Sequence, residues 1–235
     1  MRQVFVDALL APGASTEISG DDYGHLTRSL RLKVGEALRV VDASFSPYLA
    51  TLAAVDRRSA QLLVGEALPA EPAVAPLLLA LCMPSAEAFD ASLDAAVQLG
   101  ATEIVPLHSA RSRDQDGSKL PRWQRIAREA CCQSLRARPP RIRAPLGLDD
   151  FLKASLPGGK FIAWQGSQEA PASLPAAGPL ALLVGPEGGF EPAELELGIQ
   201  LGWKAISLGR QILRVPVAVA AGLGILNHLR SGAGA

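Results

Sequence analysis

Cysteine, histidine and long apolar runs are all scarce in this 235-residue chain, and each scarcity removes a class of explanation. Three cysteines cannot pair completely, which argues against a disulfide-stapled secreted module and for a reducing, cytoplasmic setting. The opening MRQVFVDALLAPG alternates in polarity and is too short and interrupted for a signal peptide. The most apolar late stretch, residues 215–229, holds Pro216, Gly222 and Gly224. It falls short of the ~20 residues a bilayer span requires and reads as a buried helix, so no membrane partner is expected. His25, His108 and His228 are scattered, and Cys131 and Cys132 are adjacent without C-x-x-C spacing, so no metal is expected either. No G-x-x-x-x-G-K-[ST] occurs, and the stretch after Val184 lacks G-x-G-x-x-G with a later ribose-binding acid. Nucleoside triphosphatases and Rossmann dehydrogenases are thereby set aside. An excess of one charge is missing too: 23 Lys and Arg balance 23 Asp and Glu.

What is present is apolar residue in quantity, 49% of the chain, enough for one large domain or two modest ones. Short candidate strands at 3–6, 37–41, 48–55 and 60–63, separated by Gly, Asp, Ser and Pro, predict a small β-barrel. A stiff connector at 67–76, with Pro69, Pro72 and Pro76, closes it, which places the domains at 1–70 and 74–235. Beyond the connector, apolar runs alternate with helix-length segments, the mark of an α/β fold with a parallel sheet. The strands are expected at 77–83, 103–107, 160–164, 180–184 and 205–208, and the helices at 86–99, at 121–135, from Pro192 to Gly202, and from Pro216 onward. Charge is uneven along the chain. Between Arg111 and Arg143 ten basic residues face only Asp114, Asp116 and Glu129, and Arg, suited to bidentate phosphate contacts, greatly outnumbers Lys. A nucleic-acid partner and a merely solvated helix face are equally compatible with that segment.

The most informative stretch is Leu182-Leu-Val-Gly-Pro-Glu-Gly-Gly-Phe190, an apolar run that stops at a loop of three glycines and one proline. A ligand could approach the backbone closely at Gly185, Gly188 and Gly189. The Ser207-Leu-Gly209 turn and the Gln211-Ile-Leu-Arg214 loop follow the next strand. In open α/β sheets ligands lie beyond the carboxyl ends of the strands, where these loops are expected to gather. Pro-Glu-Gly-Gly alone is foremost a turn; its pairing with the later loop carries the signal.

Those residues carry a resemblance. LLVGPEGGF, the Leu-Gly of Ser207-Leu-Gly-Arg-Gln211, and Ile212-Leu-Arg214 resemble the C-terminal signature of the ribosomal small-subunit (16S) RNA uridine-N3 methyltransferases of the SPOUT superfamily. His25-Leu26 with Leu30-Arg-Leu-Lys-Val-Gly35 is similar to the family's N-terminal H-L-x-x-V-L-R-L-K-x-G, with Ser29 in place of the valine. Leu99-Gly100, Pro106, the 109–112 stretch and the Arg-Trp-x-Arg-Ile-Ala-Arg-Glu-Ala block from Arg122 also fit. The chain departs where the family reads R-I-L-R-x-E-T-A: Gln211 replaces the first Arg, and Pro216 and Val217 replace Glu and Thr.

The resemblance implies a PUA-like β-barrel followed by a trefoil-knotted α/β methyltransferase domain, a homodimer, S-adenosylmethionine as cofactor, and 16S ribosomal RNA or the small subunit as partner. It places Gly185, Pro186, Glu187, Gly188, Gly189, Leu208, Gly209, Ile212, Leu213 and Arg214 around the cofactor, with Leu183 and Gln165 as weaker candidates. Arg214 and then Arg210 are the expected catalytic donors, steadying charge on the uracil carbonyl oxygens. Glu187 could act as a base or fix its own turn, the second being favoured. Arg2, His25, Arg28, Arg31, Lys33 and Arg136 are the expected RNA contacts. Two alternatives stand beside this reading: a non-catalytic RNA-binding or ribosome-assembly protein on the same fold, and a methyltransferase for another RNA position.

Overall fold

A computed structural model describes residues 1–24, 26, 32–113, 117–170 and 178–232. The chain divides into two compact units, Met1–Ala73 with Cys131–Arg138, and Val74–Ala130 with Pro139–Ala235.

The first unit is a five-stranded sheet. Strands β1 (Gln3–Phe5), β2 (Ser15–Ser19), β3 (Ala37–Val41), β4 (Pro47–Val55) and β5 (Ser59–Ala67) lie in the order β1-β3-β4-β5-β2. β1 runs parallel to β3, and the other neighbours are antiparallel. Alternation along β5, where Ala60, Leu62 and Val64 are buried while Leu63 is exposed, sends one face inward. Ala60 and Leu62 meet Leu38, Val40, Ala50 and Leu52 in a single apolar cluster. Register shifts between Tyr48 and Ala50 and between Leu52 and Ala54 mark irregular pairing, the kind of defect that bends and twists a ladder. Among the described residues the sheet curls without closing, with β1 and β2 as its edges. The barrel expected from strand spacing is thus a half-barrel. β2 escaped the sequence reading because Ser-Thr-Glu-Ile-Ser buries only Ile18. A five-residue helix, α1 (Gly20–Gly24), follows it.

Two bends in this unit hold non-glycine residues at positive φ, Phe45 at 65° and Leu135 at 58°. The left-handed conformation costs an L-residue about 1–2 kcal/mol, so neighbouring interactions must hold it. At the β3–β4 turn the buried Asp42 does so: its Oδ1 accepts from the N–H groups of Ser44 (2.8 Å) and Ser46 (2.9 Å) and from the Ser44 hydroxyl (2.7 Å). Burial pushes the Asp42 carboxyl up, but these bonds outweigh it and leave the pKa below the usual aspartate value. At Leu135, Arg39 Nη1 donates to the Leu135 carbonyl (2.6 Å) and Gln3 Nε2 to that of Arg136 (2.7 Å). Strands β1 and β3 so satisfy carbonyls just past a helix end.

The second unit is built on seven parallel strands. β6 (Leu77–Cys82), β7 (Glu103–His108), β8 (Arg141–Ile142), β10 (Gly159–Ala163), β11 (Leu180–Val184) and β12 (Lys204–Ile206) take the order β12-β10-β11-β6-β7-β8, and β9 (Leu146–Gly147) pairs with β7. β6 and β11 are buried at every residue, as expected of central strands covered on both faces. The helices are α2 (Ala86–Gln98), α3 (Leu120–Ser134), α4 (Leu148–Lys153), α5 (Pro192–Gln200) and α6 (Val215–Gly232). In α3, Trp123, Ala127 and Ala130 are buried and Ile126 is half-buried; Trp123 stacks on Phe89 of α2 with centroids 4.5 Å apart. The strand expected at 205–208 starts and ends earlier, at Lys204–Ile206, because the chain turns at Ser207, whose hydroxyl bonds both N–H and C=O of Gly209. β8, β9 and α4 were not expected. The first two have two residues each, and α4 shows only a short Leu148, Phe151, Leu152 pattern.

Strand order switches between the parallel neighbours β6 and β11: β6 leads to β7 on one side, β11 to β12 on the other. Such a switch point leaves a crevice at the carboxyl edge. α6 crosses close to β11, since a Cβ on Gly222 would lie 2.6 Å from Leu182 Cδ2, itself buried. Gly222→Ala is therefore expected to destabilise the protein by about 1–3 kcal/mol through overpacking, although alanine is the better helix former. An unchanged or raised midpoint in urea unfolding would contradict that packing.

Candidate active site

The crevice is a cleft of about 770 Å³, within the range of small-molecule sites, and every wall belongs to the second unit. Register explains why four loops reach it. Val184 pairs with Leu81 of β6 and Ala163 of β10, and Ala163 pairs with Ile206 of β12, so these strands end near one level.

The loop after β11 forms the floor. Gly189 N–H donates to the Pro186 carbonyl (2.9 Å), closing a turn in which Gly189 takes φ 69°. Two side chains fix this loop. Glu187 Oε1 accepts from the Ser85 N–H (2.9 Å), and Ser85 also caps α2 through its hydroxyl. Partial burial pushes the Glu187 carboxyl up; bonds from Ser85 and its own N–H, with the Arg113 charge, more than offset this and leave its pKa lowered. Such a group is a tether and a weak base. Arg111 holds the other side, donating from Nη1 to the Gly188 carbonyl (2.8 Å) and from Nε to Glu191 Oε1 (3.0 Å). Glu191 in turn forms a capping box with Glu194 at the start of α5, and Glu194 also accepts from the Ala110 N–H (2.7 Å).

Opposite lies the loop after β12. Residues 208–209 and 212–214 line the cleft, Ile212 with 81% of its surface exposed. The Arg214 carbonyl accepts from the Ala218 N–H (2.9 Å), so Arg214, an exposed residue of the cleft lining, sits at the threshold of α6. Pro216 lies in the first turn of α6, where a missing N–H breaks no helical bond. Trp164 and Gln165, after β10, complete the wall.

Among the residues expected around a ligand, 185–189, 208–209, 212–214 and Gln165 come together here. Leu183 is buried in the core cluster between sheet and α4, and Arg210 is exposed but outside the lining. Ser85, Arg111 and Trp164 were not foreseen, because each reaches the cleft from a different strand end and no local motif surrounds it. His25, Arg28 and Arg31 lie outside the described residues. Arg2 pairs with Glu36 at 3.0 Å, Lys33 is exposed, and the Arg136 side chain is 13% exposed with Nε 3.9 Å from Glu71.

Burial drives the thiols of Cys82 and Cys131 up to about 12, so both stay protonated and unreactive at neutral pH. Among the described residues no cluster of His, Cys, Asp and Glu could hold a metal, and no helix is long and apolar enough to cross a membrane.

The tether makes a pH prediction. A lowered folded pKa contributes stability above the unfolded value, about 4.3 for glutamate, and loses it as pH falls through the folded value. Glu187→Gln should lower the unfolding midpoint at neutral pH, and the gap from wild type should close on acidification below about pH 4. A gap independent of pH would contradict the charged tether.

Residues 71–227 match the RNA methyltransferase domain family and residues 18–65 the RNA methyltransferase PUA domain family. A ribosomal RNA small subunit methyltransferase E of Synechocystis is 32% identical over 87% of this chain and 70% of its own length. The protein of that name from Rickettsia conorii is 28% identical over 92% and 91%. Among solved structures, the Neisseria gonorrhoeae methyltransferase E bound to S-adenosyl methionine superposes with a TM-score of 0.88 at 24% identity, over 98% of both chains. A Legionella pneumophila protein in complex with the same cofactor gives 0.86 at 25% identity, over 96% of both. With the family matched over most of its length and the half-barrel and parallel sheet in place, the chain belongs to the RNA methyltransferase family that includes the ribosomal RNA small subunit methyltransferases E.

Proposed function

We propose that this protein transfers a methyl group from S-adenosylmethionine to N3 of a uridine in 16S ribosomal RNA. The observation that carries the reading is the convergence of glycine-punctuated loops on one cleft of a chain in this family. In keeping with the family resemblance, residues 1–70 serve as the RNA-gripping domain and 74–235 as the methyltransferase domain. The working form is a cytoplasmic homodimer, with the loops after β11 and β12 in the knotted arrangement.

The cleft fits the cofactor by volume and by chemistry. Amides and carbonyls of 185–189 and 208–213 suit the edges of a purine, while Ala88, Ala91 and Ala218 offer apolar surface. When bound, the cofactor supplies an activated methyl on a sulfonium sulfur. The chain's residues do the rest. Glu187 and Arg111 hold the floor loop so that its main-chain groups need no reorganisation on binding. N3 of uracil is protonated at neutral pH, and its loss of a proton spreads negative charge onto the two ring carbonyl oxygens. Arg214, in the cleft lining, steadies that charge in this proposal, with Arg210 on the same loop as second candidate. Glu187, engaged by Ser85, positions the loop instead of removing the proton.

Mass mapping of 16S RNA from a strain lacking its uridine-N3 enzyme, supplied with this protein, should show the 3-methyluridine restored; a methyl at a different base would overturn the assignment of N3. Arg214→Ala should lower kcat by at least about tenfold with little change in cofactor Kd. Gly188→Val should abolish cofactor binding measured by calorimetry, since a Cβ there already meets Arg111 Cδ at 3.2 Å. Turnover unchanged in the first, or affinity unchanged in the second, contradicts the role given to that residue.

A further inference from the structure

The β3–β4 turn of the first unit presents a feature that the methyl-transfer cleft does not use. Phe45 stands at its tip with 39% of its surface exposed, in a backbone conformation that glycine or asparagine would adopt with less strain. Nothing in the turn demands an aromatic ring, because the Asp42 carboxylate and the Phe45 N–H to Asp42 O bond (2.9 Å) hold the bend through main chain and serines. The partly exposed ring thus sits on a fixed support. Over it, 5.0 Å from the centroid, lies the guanidinium of the exposed Arg138. Arg138 too is held at its backbone: its N–H and that of Ala137 both donate to Glu71 Oε2, at 3.3 and 3.0 Å. Two rigid segments thus bring together a ring and a planar cation, both open to solvent, with the hydroxyls of Ser44 and Ser46 2.9 Å apart on the same turn.

We infer that Phe45 and Arg138 form a stacking platform for an unpaired nucleobase of the RNA substrate. An exposed aromatic face and a guanidinium plane are the two protein surfaces on which splayed-out bases stack, and both tolerate any base. Ser44 spends its proton on Asp42 and Ser46 donates to Ser44, so what the Ser46 oxygen offers beside the ring is acceptor capacity toward a sugar hydroxyl or an amino group on a base edge. A ring held in advance in a strained conformation gives up little freedom on binding, which favours a fixed contact over a surface ornament. This inference rests on the RNA-methyltransferase reading.

The test uses the full chain and fluorescence titration with 16S ribosomal RNA, alongside urea unfolding of each variant. Phe45→Gly relieves the backbone strain while removing the ring, so the unfolding midpoint should hold or rise while RNA affinity falls about tenfold. Phe45→Tyr should bind as wild type does. Phe45→Leu, which keeps apolar bulk without a π face, should bind as weakly as the glycine variant. Cofactor affinity should stay constant in all three. If the leucine and glycine variants bind RNA as tightly as wild type, the platform is overturned while the methyltransferase reading stands. Failure of the wild-type protein itself to bind 16S RNA would overturn both.

Discussion

The register that seats β11 between β6 and β10 is the constraint on which the site depends. Leu180 lies opposite Leu77 and Gly159, and five residues later the three strands release their chains side by side. A slip of one residue would move a loop by about 3.3 Å and turn the strand's buried faces over. Gly222 adds a second lock, because α6 approaches β11 closely enough that only hydrogen fits. The cleft is a consequence of sheet pairing, and the side chains around it mainly hold loops in place.

That division of labour explains how a chain with zero formal net charge can host the site. Micromolar affinity corresponds to about 8 kcal/mol, and each net hydrogen bond contributes ~0.5–1.5 kcal/mol. Several main-chain contacts with burial of a purine reach that sum without a charged anchor. Arg111 and Glu187 act one step back, on Gly188 and Ser85, and hold the loop to which the proposal assigns those contacts. The same economy tolerates Pro216 and Val217, which lie where the first turn of α6 needs neither an N–H nor a hydroxyl for its own integrity.

Much of the fold was legible because burial leaves a pattern. β6 and β11 are continuous apolar runs, α3 repeats its buried face at Trp123, Ala127 and Ala130, and β5 alternates. β2, β8 and β9 were not, since a polar edge strand and two-residue pairings bury too little to shape composition. Of the cleft, the loop after β11 was visible as a glycine-rich break following an apolar strand, and the loop after β12 through its Leu208-Gly209 and Ile212-Leu-Arg214 motifs. Ser85, Arg111 and Trp164 were hidden: each arrives from a separate strand end, and only three-dimensional pairing makes them neighbours. Phe45 is a case of conflict between local preference and fold, a bulky side chain where the turn favours glycine. Conflicts of that kind are where function tends to override the local rule.

The central claim is that main-chain groups of two loops form the cofactor's cradle. A crystal structure of the protein with S-adenosylmethionine tests it most directly. The account predicts the adenine edge hydrogen-bonded to amides and carbonyls within 185–189 and 208–213, with Arg111 still on the Gly188 carbonyl. Cofactor bound elsewhere, or held in the cleft by charged side chains alone, would contradict it.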